Sequence, residues 1–79
     1  MVKAFKRKKI CINFGEIVRA KRHKLGLSQE AFAEHADLHR TYISDIELGK
    51  VDVGISVAQK VAKALKTPLS KLIKDIESK

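Results

Sequence analysis

A chain of 79 residues with a net charge of +8 and one cysteine allows a single small domain with a thin core, since a chain of this size buries only about 60% of the surface its unfolded form exposes. No apolar run approaches the roughly 20 residues of a membrane span, and the N-terminus lacks an apolar secretory stretch, so the expectation is a soluble, cytoplasmic protein without a membrane partner. Cys11 has no second cysteine to pair with and is expected to pack. Charge is segregated: residues 1–24 carry nine Lys/Arg against Glu16, residues 25–49 one Arg against five acids, and residues 50–79 seven Lys against three acids. Basic ends flanking an acidic middle favour a polyanion, without choosing among DNA, RNA and an anionic membrane.

Residues 1–9 read as a basic N-terminal arm and residues 10–79 as the folded domain. Ile10, Phe14, Ile17, Val18 and Leu25 recur at helical spacing, which predicts a first helix starting between Ile10 and Asn13 and ending at Gly26, where glycine accepts the left-handed closing conformation. Ser28 is placed to cap a second helix, with Leu27 and Phe32 as a hydrophobic staple and Phe32, Ala33 and Ala36 facing inward. Asp37 and Leu38 interrupt the pattern, and Asp tolerates a left-handed turn. A third helix is predicted from about His39 to Leu48, stopped by Gly49, with Ile43, Ile46 and Glu47 on one side and Thr41, Ser44, Asp45 and Leu48 on the other. A fourth runs from Ile55 to Leu65; Thr67 is read as the cap of a fifth, with Pro68 at its first position and Leu69, Leu72, Ile73 and Ile76 as its apolar stripe.

Five short helices with a three-residue break between the second and third are compatible with a helix-turn-helix and with many other small bundles. Specific residues narrow the choice. From Phe14 to Ile73 the sequence resembles the lambda-repressor-like (Xre) helix-turn-helix family, through FGEIVRAKRHKLGLSQEAFA and LHRTYISDIELGK. The second segment, especially Arg40-Thr41-Tyr42-Ile43-Ser44, is similar to the controller proteins of restriction-modification systems. The resemblance implies an all-α, five-helix DNA-binding domain in which the third helix enters the major groove and the second crosses the phosphate backbone.

Under that resemblance His39, Arg40, Thr41, Ser44 and Asp45 face base edges. Their chemistry suits base readout: Arg40 can donate a fork of two bonds to guanine, the Thr41 methyl suits thymine, Ser44 can bond a base or a phosphate, and Asp45 can accept from cytosine or orient Arg40. Lys24, Ser28, Gln29, Tyr42 and Lys50 are the expected phosphate contacts, Gln29 through its side chain and the positive end of its helix. Lys6 to Lys9 are open to two readings, a solubilising tail or a further grip on DNA. Val51-Asp52-Val53 stands where the family often continues with basic residues or Asn, so the chain departs from the pattern there. Arg22 and Glu47 resemble the family's structural salt bridge between the first and third helices, whose loss by Glu47→Ala is expected to destabilise the fold.

Leu65, Leu69, Leu72, Ile73 and Ile76 read either as the lid of one protomer's core or as a dimer interface. The resulting expectation is a homodimeric, sequence-specific regulator of transcription that binds double-stranded DNA at a near-palindromic operator, as a restriction-modification controller or a phage-type repressor does. The alternative is an antitoxin, whose decisive partner would be a toxin protein. No acid/base pair, nucleophile or phosphate-cradling loop marks an enzyme, and nothing points to a cofactor or a small-molecule substrate. His23, His35 and His39 are not spaced as metal ligands, and the stacking aromatics of RNA-binding motifs are missing.

Overall fold

The computed structural model describes residues 7–79, in which α1 (Lys9–Lys24), α2 (Gln29–Ala36), α3 (Arg40–Glu47), α4 (Ile55–Ala64) and α5 (Leu69–Glu77) follow one another with no strand among the described residues. Helix α1 begins at Lys9, earlier than its apolar spacing predicts, because tertiary structure takes hold of its first residues. Lys8 at the N-cap pairs with Asp52 at 3.0 Å, in the connection between α3 and α4. The expected arm therefore loses Lys8 and Lys9 to the folded body, while its residues 1–6 lie outside the described residues. On the inward face Cys11 replaces Ile10, and Leu25 lies exposed past the last turn.

Each of the first four helices is closed by a residue of positive φ that turns the chain. Gly26 (φ +72°) ends α1, and Leu27 N–H then returns to the Arg22 carbonyl at 3.2 Å. Asp37 ends α2 at φ +56°, as the tolerance of Asp for this region predicts, and Gly49 (φ +71°) ends α3. Helix α4 closes without glycine, at Lys66 (φ +56°). Pro68 is the N-cap of α5 instead of its first helical residue, and the Thr67 hydroxyl donates back to the Leu65 carbonyl at 3.1 Å instead of capping the new helix.

All five helices contribute to one core, built on Phe14 and Val18 from α1, Phe32 from α2, Ile43 and Ile46 from α3, Val61 from α4 and Leu72 and Ile76 from α5. This packing corrects the dimer-interface reading of the fifth helix. Leu65, Leu72 and Ile76 are buried within the protomer, so they form the lid of its own core, and only the half-buried Leu69 and the 39% exposed Ile73 are left at the surface. Ile73 shares a shallow apolar hollow with Ile10, 60% exposed, and Ile55, 74% exposed. None of the helices among the described residues is long and apolar enough to cross a membrane.

Candidate nucleic-acid interface

Helix α2 is entered through a tight sequence of caps. Ser28 is extended, and its Oγ accepts from the Ala31 N–H at 3.0 Å, satisfying one of the first-turn donors. The N–H groups of Gln29 and Glu30 precede the first intrahelical bond, Phe32 N–H to Ser28 carbonyl at 2.9 Å, and so point out of the helix end. After the Asp37 turn, His39 is the N-cap of α3 and leaves its side chain uncommitted to the cap.

The two sides of α3 separate cleanly. Ile43, Ile46 and Glu47 are buried; Arg40, Thr41, Leu48 and the N-cap His39 are exposed, while Ser44, Asp45 and Tyr42 are half-buried. The sequence places His39, Arg40, Thr41, Ser44 and Asp45 together, and the fold leaves all five at the surface. One expectation needs correction: no ion pair or hydrogen bond joins Asp45 to Arg40 among the described residues. Five residues along an α-helix separate two side chains by about 140° of rotation and about 7.5 Å of rise, too far for one to orient the other. Lys24 and Lys50 are exposed at the ends of α1 and α3, and Tyr42 packs against the core edge.

Beneath this surface the junction of α1 with α3 is fully satisfied. Arg22 Nε donates to Glu47 Oε2 at 2.6 Å and Nη2 to Oε1 at 3.0 Å, while Nη1 donates to the Leu27 carbonyl at 2.8 Å. Both residues are buried, with side chains 8% and 3% exposed. Gln29 Nε2 also donates to Glu47 Oε1, at 3.1 Å. Among the described residues no buried side-chain polar atom lacks a partner.

Sequence reasoning misses why α3 sits so close to α1. A Cβ on Gly15 would lie 2.3 Å from the Ile46 carbonyl oxygen and 2.6 Å from that of Glu47, so only glycine lets the last turn of α3 reach the helix beneath it. A signal for it exists: a glycine in mid-helix costs about 1 kcal/mol against alanine and turns nothing there, which marks a close approach. Gly49 contributes likewise, since its Cβ would meet Ile12 at 2.9 Å.

Burial pushes the Cys11 thiol up, the Asp52 hydrogen bond raises Lys8, and the hydrogen bond from Lys21 holds the Asp75 carboxyl below its usual range. Among the described residues no three His, Cys, Asp or Glu side chains gather as metal ligands would.

Two short helices at a tight left-handed turn, the second with a polar outer face, define a helix-turn-helix, and residues 18–72 match the family described as Helix-turn-helix. The chain belongs to that family. It is 44% identical over 69 residues to the control protein C.MunI of Mycoplasma sp, covering 86% of this chain and 93% of that one. It is 51% identical over 53 residues to the control protein C.BamHI of Bacillus amyloliquefaciens, covering 66% and 65%. Among solved structures it is similar to the restriction-modification controller protein C.AhdI from Aeromonas hydrophila, with a TM-score of 0.76 and 34% identity over 78% of this chain and 94% of that one. It is also similar to the controller protein C.Esp1396I, solved as a tetramer with its natural 35 base-pair operator, with a TM-score of 0.75 and 28% identity over 86% and 95%.

Proposed function

We propose that this protein is a sequence-specific, DNA-binding regulator of transcription of the restriction-modification controller kind. The observation that carries the reading is the outer face of α3, where Arg40 and Thr41 stand exposed on a helix whose inner face is clamped to α1 by a buried ion pair. A preorganised helix loses little freedom on docking, and a planar guanidinium without an ion-pair partner among the described residues is suited to the guanine edge in the major groove. Ser44 and Asp45 lie further along the same helix, and His39 lies at its entry. Lys24, Lys50, the hydroxyl of the half-buried Tyr42 and the first turn of α2 at Ser28 and Gln29 supply the phosphate contacts that set the docking angle. Ser28 keeps a proton to donate, because its Oγ only accepts within the cap.

The protein acts as a homodimer in this reading. Two half-sites about 34 Å apart, or a multiple of that, need two copies of α3 related by a two-fold axis. The second copy covers the apolar rim of Ile10, Ile55 and Ile73, exposed large apolar side chains that line one hollow between the start of α1, the start of α4 and α5. The antitoxin alternative finds no support among the relatives named above.

Selection of bound fragments from a random duplex pool tests the reading directly, with an enriched near-palindrome as the expected result. Sedimentation of the free protein is expected to give a dimer that Ile55→Glu with Ile73→Glu dissociates. Equal affinity for every duplex would overturn the assignment.

A further inference from the structure

The amide of Gln29, the first residue of α2, is tied down by a group at the far end of the next helix, α3. Its Nε2 donates to Glu47 Oε1 at 3.1 Å, and the same carboxylate is held from the other side by both arms of the Arg22 fork. Arg22 is in turn fixed to the Leu27 carbonyl, immediately before the cap of α2. One carboxylate therefore gathers a residue from each of α1, α2 and α3.

The chemistry of this contact fixes which way the amide faces. An ionised carboxylate only accepts, so it meets the NH2 end of Gln29 and never the carbonyl end. A primary amide nitrogen carries two hydrogens; one is used here, and Gln29 is half-exposed at the surface that α2 presents. A phosphate oxygen is also acceptor-only, so the second hydrogen on the same nitrogen is the group able to meet it. The approach is electrostatically open, because Arg22 compensates the charge of Glu47 at hydrogen-bond distance.

We propose that Glu47, locked by Arg22, is a positioning residue for DNA binding: it holds the Gln29 amide with its remaining N–H presented to a backbone phosphate, so the buried pair serves recognition as well as folding. The proposal rests on reading Gln29 as a phosphate contact. A surface glutamine without this anchor must surrender its rotamer freedom when it meets the phosphate, whereas this one has surrendered it on folding.

A double-mutant cycle on the selected operator tests the idea. Arg22→Met with Glu47→Leu exchanges the ion pair for apolar side chains of similar size, a change that generally preserves folding, while removing the anchor of Gln29. The expected result is about tenfold weaker binding for Gln29→Ala, the loss of one hydrogen bond to a charged group. Several-fold weaker binding is expected for the apolar pair, and little further loss when the two changes are combined. Neutral methylphosphonates placed singly along the backbone should find one position that weakens the wild type about tenfold and Gln29→Ala hardly at all. In the unmodified protein, NMR should show one Gln29 side-chain amide proton protected from exchange, before and after DNA is added.

Losses that simply multiply, or two freely exchanging amide protons, would overturn the proposal while leaving α3 in the groove. Failure of the wild-type protein to prefer any duplex would instead remove the functional reading beneath it.

Discussion

On the inner side of α3, Ile43, Ile46 and Glu47 are buried and each polar atom has a partner; on the outer side Arg40 and Thr41 are exposed, and Arg40 has no ion pair among the described residues. The inner side fixes position at the cost of tolerance, since a close-packed junction gives way to neither extra volume nor a missing partner. The outer side carries no such junction, and in the proposed function it is the side that meets the bases. On the proposals made above, one eight-residue helix keeps folding and recognition on separate faces, joined through Glu47.

The contrast is broken most severely by Glu47→Ala, which strands the Arg22 charge in a buried setting; a loss of about 3–5 kcal/mol in denaturant unfolding is expected. Gly15→Ala drives a methyl group into the carbonyls of Ile46 and Glu47, and about 1–3 kcal/mol should be lost on the same measurement. An unchanged midpoint for either variant would show that the α1–α3 junction does not hold the fold together. Arg40→Ala should leave stability within about 0.5 kcal/mol while lowering discrimination between cognate and random duplexes by about 1–3 kcal/mol. Lys50→Ala is the complement, weakening all duplexes alike and reducing the slope of log affinity against log salt by about 1.

The smallest effect is expected away from α3, at Asp75. Its carboxyl is held below the usual range by the hydrogen bond from Lys21, so its contribution is present above that range and disappears as pH falls through the lowered value. Melting curves of the wild type and Asp75→Asn should differ slightly at neutral pH and converge in strong acid. A constant gap across the acid range would show that the pairing is not the cause.

Much of this architecture is legible in the sequence because it is local. Gly26, Ser28, Asp37 and Gly49 are residues whose backbone preferences punctuate a chain, and helical spacing marks Phe14, Val18, Ile43, Ile46 and Leu72 as inward positions. What the sequence does not disclose depends on parts far apart in the chain. Whether Leu65, Leu72 and Ile76 meet a second copy or their own core is decided by where α5 closes over α1 and α4 over α2, which periodicity does not contain. The tie between Gln29 and Glu47 spans 18 positions, and no motif spacing foretells which side chain shares a carboxylate. Arg40 and Asp45 fail to meet for a simpler reason, that nearness in sequence is not nearness around a helix.

Lys66 closes α4 at φ +56°, in a region where a lysine side chain crowds its own backbone and glycine does not. The chain therefore carries avoidable steric tension in a connector outside both α2 and α3. Lys66→Gly offers a route to a hardier protein whose base preferences are untouched, at the expense of one positive charge from an already basic surface.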